Sequence, residues 1–213
     1  MDHLHLRNSR RMSTEDSSTQ SEAYTNRLTA LSSRFISRLV GGQPYRWKIR
    51  RIAKGNVLEV GCGIGRNLNF LGSRAIGVDH NSLSIKVCRE RGFTAYTPDE
   101  FFALPNIAHK KFDAILFSHV VEHLTLDDAR ALLQMYVQYL SPSGKLIIIC
   151  PQKRGFASDS THVTYFDLDS LSQITASINC SELSRESFPF PAFFGRWFTY
   201  NEWVHISISP SLN

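Results

Sequence analysis

The chain has 213 residues, of which 42% are hydrophobic and 20% are charged, and these proportions are typical of a soluble globular protein. No apolar run approaches the roughly 20 residues that a membrane-spanning helix needs. The first residues lack the apolar segment of a secretory signal, and the four cysteines are widely spaced, with no Cys-x-x-Cys pair. We therefore expect a cytoplasmic protein with reduced thiols and no membrane span.

The formal net charge of +5 is concentrated near the N-terminus. Residues 1–54 contain 11 Lys or Arg and 4 Asp or Glu, whereas the remaining residues contain 13 and 15. Residues 1–20 are rich in Ser, Thr and charge and have no apolar periodicity, so we expect a disordered basic tail. Such a tail can contact nucleic acid, although most charged tails are simply solvated.

Two helices are predicted over residues 21–54. Apolar residues recur at helical spacing through residues 21–40, at Leu28, Leu31, Phe35, Ile36 and Leu39. Gly41 and Gly42 end this helix, and Pro44 begins a second helix that leads into the first strand.

A glycine-rich turn follows the first predicted strand. Residues 57–60 form a short, mostly apolar run of the kind that a buried parallel strand shows, and Gly61, Gly63 and Gly65 come directly after it. The residues from Arg66 onward can open a helix. Strand, glycine turn and helix make the beginning of a βαβ unit, in which the turn places a small ligand at the helix N-terminus.

The neighbours of this turn favour a cationic ligand over a dinucleotide. A dinucleotide fingerprint reads Gly-x-Gly-x-x-Gly, but here Arg66 stands where its third glycine would be. Glu59, two residues before the first glycine, would repel phosphates and attract a cation. S-adenosylmethionine carries an ammonium and a sulfonium and no phosphate. Asp79, at the end of the next short strand, is placed to accept hydrogen bonds from ribose hydroxyls.

The remaining elements alternate between helix and strand until the C-terminal part, where two strands follow one another. We predict helices at 82–91, from 127 and at 167–178, strands at 75–79, 93–96, 112–118, 145–150, 181–188 and 203–209, a turn at 141–144 and a loop at 151–165. Residues 188–198 are too aromatic for a solvated loop, and we expect them to cover the mouth of the site or to face a partner.

The glycine turn and Asp79 resemble motif I and the acidic loop of the class I S-adenosylmethionine-dependent methyltransferases, and the chain looks like bacterial members of unassigned substrate. The resemblance implies a methyltransferase domain over residues 55–209, with the N-terminal helices capping the cofactor cleft. It implies a three-layer α/β/α sandwich around a Rossmann-like, mainly parallel sheet of seven strands in the order 3-2-1-4-5-7-6. The cofactor-binding residues that we predict are Glu59, Gly61, Cys62, Gly63, Gly65, Asp79, His80, Asp99, Glu100, Ser118 and His119. For Asp99 and Glu100 the alternative is a helix N-terminus with its favoured acids.

A second group of chemical side chains follows the fourth strand. His119, Glu122 and His123 stand at i, i+3 and i+4 and can share one face. As a bare pattern, His-x-x-Glu-His is a zinc-peptidase motif, but that chemistry needs a long helix, which the end of a strand does not supply. A further histidine, His162, lies in the loop after the fifth strand.

Within the resemblance, this segment is similar to the Glu-x-x-Glu-His segment of small-RNA and ubiquinone-pathway O-methyltransferases, which can hold a divalent metal. His119 replaces the first acid of that pattern, which argues against a magnesium site. His123 is left with three roles, as a metal ligand, a general base or a structural histidine. We favour the structural role for His123, with His162 as the group that faces the substrate, and we predict no metal site. Both histidines are our candidates for catalytic residues.

The predicted function is transfer of a methyl group from S-adenosyl-L-methionine to an oxygen or nitrogen acceptor on a small molecule. A non-catalytic, methyltransferase-like binding module is the first alternative, and an NAD(P)-dependent oxidoreductase is the second. Nothing in the sequence fixes the oligomeric state.

Overall fold

The computed structural model describes residues 42–209. The predictions of a disordered tail over 1–20 and of a helix over 21–40 lie outside these residues. In chain order the helices are α1 (Gln43–Ile52), α2 (Arg66–Leu71), α3 (Ser82–Glu90), α4 (Pro98–Phe102), α5 (Leu126–Val137), α6 (Lys153–Phe156) and α7 (Leu168–Ala176). The strands are β1 (Val57–Val60), β2 (Ala75–Val78), β3 (Ala95–Tyr96), β4 (Phe112–Ser118), β5 (Leu140–Pro151), β6 (Ser181–Phe188) and β7 (Glu202–Ile208).

The strands form one seven-stranded sheet in the order β3-β2-β1-β4-β5-β7-β6. β1 pairs in parallel with β2 and β4, and β7 runs antiparallel to both β5 and β6. The predicted strand order and the three-layer arrangement are therefore confirmed. Because β1 lies at the point where the strand order reverses, the carboxyl end of β1 opens into the crevice where such sheets bind ligands.

The core has two halves, one on each face of the sheet, and the alternation of side chains along the central strands fills both. On β4, Ile115 and Phe117 pack into one half with α5 and α7, whereas Ala114 and Leu116 pack into the other with α1, α2 and α3. All four residues of β1 are buried. A strand that is buried on both faces has a nearly continuous apolar sequence, which explains why β1 and β4 could be predicted from the sequence.

Short polar side chains fix where several helices begin. The side chains of Asn81, Thr97, Thr125 and Asp167 accept hydrogen bonds from backbone amides in the first turns of α3, α4, α5 and α7. These bonds satisfy amides that have no partner inside the helix. The start of α3 therefore agrees with the prediction to the residue, and α7 begins one residue after the predicted start, with Asp167 as its N-cap.

Three of the predicted boundaries were wrong. The segment 141–144 is not a free turn but part of β5, because Phe112 on the neighbouring strand pairs with Leu140 before the register shifts. β3 is only the pair Ala95–Tyr96. The predicted loop after β5 contains the short helix α6, in which the Phe156 amide donates to the carbonyl oxygen of Gln152.

The aromatic segment after β6 lies on the surface. A short 3-10 helix, Ala192–Arg196, carries Phe193 and Phe194, whose rings stack against each other and stay substantially exposed. Trp197 is 68% exposed. The rings thus pack mainly on one another and leave an apolar patch facing solvent among the described residues. Within residues 42–209, no helix combines the length and the apolar character that crossing a membrane requires.

Leu133 on α5 is fully buried in the core half that contains β4, and it offers a direct test of this packing. We expect Leu133→Ala to lower the free energy of unfolding by about 2–5 kcal/mol, because it removes apolar contacts and leaves a cavity. Leu126→Ala makes the same chemical change on the same helix at an exposed position and should cost less than about 0.5 kcal/mol. Urea unfolding of both variants measures the difference, and equal losses would contradict the packing.

Candidate active site

The glycine turn after β1 has the backbone geometry that its sequence predicts. Gly61, Gly63 and Gly65 have φ angles of 75°, 50° and 82°, a region that side chains with a Cβ rarely adopt. The amides of Gly61 and Cys62 both donate to the carbonyl oxygen of Val78, at 2.8 and 3.1 Å. The turn is therefore fastened to the end of β2, and its last glycine leads directly into α2.

Asp79 joins the turn to the loop after β2. One oxygen of its buried carboxylate accepts a hydrogen bond from the Gly63 amide at 2.7 Å, and the other accepts from the Asn81 amide at 2.9 Å. Each carboxylate oxygen has a second lone pair, so these bonds leave capacity for a ligand hydroxyl. His80 is exposed beside it, with Nδ1 at 3.7 Å from Asp79 Oδ1. The structure thus places both predicted residues at the rim of the turn.

Glu59 lies beneath the turn, and its buried carboxyl group is only partly hydrogen-bonded. Its side chain is buried, and Oε1 accepts a hydrogen bond from Asn67 Nδ2 at 2.7 Å. Oε2 is buried without a hydrogen-bond partner among the described residues, as is Oδ1 of Asn67. Burial raises the pKa of Glu59 to about 8. A cation placed here would compensate the buried carboxylate, which an uncharged or anionic ligand would not.

Helix α1 lies over the ends of β1 and β4. Tyr45 on α1 shares a hydrogen bond of 2.7 Å with Ser118, the last residue of β4. The guanidinium of Arg66 stacks over the Tyr45 ring at 4.6 Å from its centroid. Nε of Arg46, also on α1, is buried without a partner among the described residues. Tyr45 thus lies at the carboxyl end of β4, beside the crevice at the end of β1.

Cys62 turns its side chain away from the crevice. A hydrogen bond with the Cys88 thiol and burial together raise the pKa of Cys62, so this thiol stays protonated. The thiol of Cys88 donates to the carbonyl oxygen of Gly63 at 3.1 Å and so supports the turn from below. Only the backbone of Cys62 therefore remains available for the ligand contact that the sequence predicted.

The two acids predicted to meet the adenine lie at the beginning of α4. The Glu100 carboxylate accepts from the Thr97 amide at 2.8 Å and pairs with Arg89 at 2.5 Å, and Arg89 holds the pKa of this carboxyl below its usual range. Glu100 and Thr97 form a reciprocal capping box. Asp99 is exposed in the first turn. The alternative interpretation, acids at a helix N-terminus, therefore describes what Glu100 does here.

His119 sits between two carboxylates. Its Nδ1 lies 3.1 Å from Glu122 Oε1 and its Nε2 lies 2.9 Å from Glu202 Oε1. Burial opposes the charged form, but the two carboxylates outweigh it and raise the pKa of His119 to about 10. His119 is therefore an imidazolium at neutral pH. Glu202, on β7, was not among the predicted site residues, because 83 positions separate it from His119 and no local spacing connects them.

A second cluster lies beyond His119. Val121–His123 form a single 3-10 turn, not the long helix that a zinc peptidase needs, so that interpretation fails. A carboxylate oxygen of Glu122 and one ring nitrogen each of His123 and His162 lie within 4.8 Å of one another. The two histidine rings are 4.9 Å apart at their centroids. The structure thus brings Glu122, His123 and His162 together, and Glu122 connects His119 to them.

Comparison with known proteins shows which family the chain belongs to. A family model described as a methyltransferase domain matches residues 26–184, which is most of the chain. The chain belongs to this methyltransferase family. The resemblance to the class I S-adenosylmethionine-dependent enzymes is thereby confirmed.

Curated relatives match only part of this methyltransferase. Carboxy-S-adenosyl-L-methionine synthase of Cronobacter sakazakii is 28% identical over 103 residues, which cover 43% of this chain and 42% of that protein. A tRNA (carboxymethyluridine(34)-5-O)-methyltransferase of Macaca fascicularis is 33% identical over 97 residues, or 43% of this chain and 14% of that protein. The chain therefore spans less than half the length of either relative.

Solved methyltransferase structures share the fold over nearly their whole length. A S-adenosylmethionine-dependent methyltransferase from Archaeoglobus fulgidus superimposes with a TM-score of 0.63 at 21% identity, covering 82% of this chain and 98% of that one. The N-methyltransferase NodS from Bradyrhizobium japonicum, in complex with S-adenosylhomocysteine, gives a TM-score of 0.66 at 16% identity, covering 89% and 98%. At these identities the likeness supports the fold.

The turn of this methyltransferase depends on close packing at Gly61, where an added Cβ would overlap with Cγ2 of Val120. We expect Gly61→Ala to destabilise the protein by more than the roughly 1–2 kcal/mol that a left-handed backbone angle alone costs an alanine. Gly92→Ala is the matched control, since Gly92 has a φ of 80° and no atom within 4 Å of the added carbon. Thermal unfolding compares the two. A smaller loss for Gly61→Ala would contradict the contact between turn and loop.

Proposed function

We propose that this protein transfers a methyl group from S-adenosyl-L-methionine to an oxygen or nitrogen acceptor. The observation that carries the proposal is the buried Glu59 carboxylate with an oxygen that lacks a partner, next to a glycine turn with no phosphate-binding pattern. A cationic cofactor meets both conditions. The residues assigned to hold it are Glu59, Gly61, Cys62, Gly63, Gly65, Asp79, His80, Asp99, Glu100, Ser118 and His119, with Cys62 contributing backbone alone.

Four side chains have a defined task in this proposal. When bound, S-adenosylmethionine supplies an electrophilic methyl group on a sulfonium that is already a good leaving group. Glu59 holds the cationic amino acid end, and Asp79 orients the ribose while keeping the turn closed. Tyr45 and Arg46 on α1 exclude water from above. The protein thus contributes proximity and orientation, an effect worth up to about 7–11 kcal/mol.

We place the methyl acceptor beside His123 and His162, which we assign as the catalytic pair. Both side chains are half-buried, so part of each is accessible from outside. The loop that carries His162 follows β5 and borders the same end of the sheet as Ser118. A small molecule is the acceptor that we favour. Nucleic acid is the second candidate, supported by the basic residues of the N-terminal 54 positions and by the tRNA-modifying relative.

Two further assignments belong to this proposal. Residues 21–54 act as a cap over the cofactor cleft, as the contact between Tyr45 and Ser118 suggests for α1, while residues 1–20 form a separate basic tail. We also propose a cytoplasmic location. All four cysteines are buried and free, including the neighbouring thiols of Cys62 and Cys88, which suits a reducing compartment.

Isothermal titration against S-adenosylmethionine and against NADH separates the candidate functions. A methyltransferase binds the first and not the second, whereas an oxidoreductase shows the reverse. A binding module of methyltransferase fold that has lost its function as an enzyme would bind neither, or would bind S-adenosylmethionine without ever consuming it. An untargeted screen for metabolites that gain one methyl group in the presence of the enzyme addresses that last case.

The raised pKa of Glu59 makes cofactor binding depend on pH. Below about pH 8 the Glu59 carboxyl is protonated in the free protein, and it must ionise to hold a cation, so binding releases a proton. We expect the association constant for S-adenosylmethionine to rise with pH between 6 and 7.5, by up to about tenfold per unit. Calorimetry in buffers of different ionisation heat measures the proton directly. Glu59→Gln should remove the dependence, and a flat profile for the wild type would contradict it.

Asp79→Ala should weaken cofactor binding for two reasons. It removes an acceptor for the ribose, and it frees the Gly63 amide that Asp79 holds at 2.7 Å. Each lost bond to a charged acceptor costs about 1.5–3 kcal/mol. Asp127→Ala, at an exposed acid on α5, is the control and should bind normally. If Asp79→Ala binds S-adenosylmethionine as tightly as the wild type in the same titration, the assignment of this loop is wrong.

A further inference from the structure

The segment between β6 and β7 presents several large aromatic rings to solvent. Five of its side chains, which we call the aromatic patch, are between 39% and 68% exposed: Phe190, Phe193, Phe194, Trp197 and Tyr200. The centroids of the Phe193 and Phe194 rings are 4.3 Å apart, and the half-buried Phe198 joins Phe190 to Tyr200 at 5.3 and 5.7 Å. Single apolar side chains at a surface are ordinary, but a contiguous patch of them marks a site of interaction.

Buried polar side chains fix the shape of this segment from beneath. The fully buried Asn201 accepts a hydrogen bond from the Phe190 amide at 3.0 Å and donates one to the carbonyl oxygen of Pro191 at 3.3 Å. Gly195 is buried against Gln152, so closely that an added Cβ would lie 1.7 Å from Oε1 of Gln152. The backbone is thus bonded toward the protein while the rings point away from it, so the exposure of the rings belongs to the folded segment.

The charges beside the aromatic patch all have the same sign. Arg196 lies within the segment, and Lys153 and Arg154 lie on α6, which packs against it. All three cations are exposed, and no ion pair joins any of them to another residue in the described part of the chain. Residues 151–157 and 188–201 contain no Asp or Glu. The patch and its rim are therefore complementary to a surface that is negatively charged throughout.

We propose that the aromatic patch docks on an anionic membrane surface, with its rings between the lipid headgroups and the acyl chains and with the three cations at the headgroups. Aromatic side chains favour this interfacial depth, because one part of the interface is apolar and the other is wet. Lys and Arg beside them are attracted to anionic headgroups and bury their apolar stems. A contact of this kind lies on the bilayer and does not cross it.

A lipid surface fits the patch better than a protein or a single-stranded nucleic acid does. A protein interface carries about one hydrogen bond per 100–200 Å², whereas the five rings offer only the indole N–H of Trp197 and the hydroxyl of Tyr200. Nucleic-acid bases stack on free ring faces, but Phe193 and Phe194 lie against each other at an interplanar angle of 32°. A lipid interface requires neither directed hydrogen bonds nor free ring faces.

The aromatic segment lies at the same end of the sheet as the candidate active site. It leads directly into Glu202, the first residue of β7, which pairs with Pro151 at the end of β5. Glu202 also contacts His119, just after β4. A membrane-bound chain therefore has the crevice end of its sheet on the side of the bilayer. Docking itself does not depend on the proposed methyl transfer.

Sedimentation of the full chain with vesicles of phosphatidylcholine and phosphatidylglycerol, mixed two to one, measures the docking. We expect the wild type to sediment with these vesicles. Trp197→Ala and the double variant Phe193→Ala/Phe194→Ala should each weaken partitioning by at least roughly tenfold, because the rings that enter the interface are lost. Met135→Ala removes an exposed apolar side chain from α5, outside the patch, and is the matched control that should partition like the wild type. Thermal unfolding verifies that each variant is folded.

The lipid composition tests the role of the cations. Vesicles of phosphatidylcholine alone should bind the wild type more weakly than the anionic vesicles do. Lys153→Ala should weaken binding to the anionic vesicles by about fivefold, as expected for the loss of one cation near a charged surface, and should change binding to neutral vesicles little. Equal binding of the wild type to both kinds of vesicle would contradict the proposed role of the charges.

Three results would overturn the docking surface. The first is a wild type that does not bind the anionic vesicles. The second is binding that both aromatic variants retain, as expected if the basic N-terminal residues alone held the protein to the lipid. In the third, the wild type ignores vesicles but forms dimers in sedimentation velocity, or binds a single-stranded oligouridylate, and Trp197→Ala abolishes that association.

Discussion

The site depends on the way the glycine turn after β1 is tied to the end of β2. The carbonyl oxygen of Val78 accepts from two amides of the turn, and the Asp79 carboxylate accepts a third from Gly63. These bonds hold the turn in left-handed backbone conformations, which glycine adopts readily and other residues adopt only at a cost. They also place the buried Glu59 directly under the turn, with an oxygen that has no partner among the described residues. The cofactor assignment follows from this one connection.

A second electrostatic arrangement separates the cofactor side from the acceptor side. His119 is an imidazolium between Glu122 and Glu202, so one cation serves two buried acids. One oxygen of Glu122 is occupied by His119, its other oxygen has no hydrogen-bond partner among the described residues, and His123 and His162 lie beside it. The same turn thus connects the end of β4 with the loop after β5, beside which we propose that the acceptor binds.

The sequence predicted the elements whose signals are local. The apolar runs of β1 and β4, the glycines after β1 and the helix start at Asp167 each depend on residues within a few positions. The sequence did not predict long-range pairs. Glu202 on β7 contacts His119, and Tyr45 shares a hydrogen bond with Ser118, 73 positions away. The extension of β5 to Leu140 escaped for the same reason, since it depends on the neighbouring Phe112. The side chain of Cys62 points into the core because its partner Cys88 lies on α3, a contact that the spacing of the turn does not reveal.

A crystal structure with bound S-adenosylhomocysteine tests the central claim most directly, because it locates the ligand against Glu59 and Asp79 independently of any acceptor. The account predicts the amino group of the ligand within hydrogen-bond distance of the Glu59 carboxylate and a ribose hydroxyl at the Asp79 carboxylate. A ligand bound elsewhere, or with its adenine against Glu59, would contradict it.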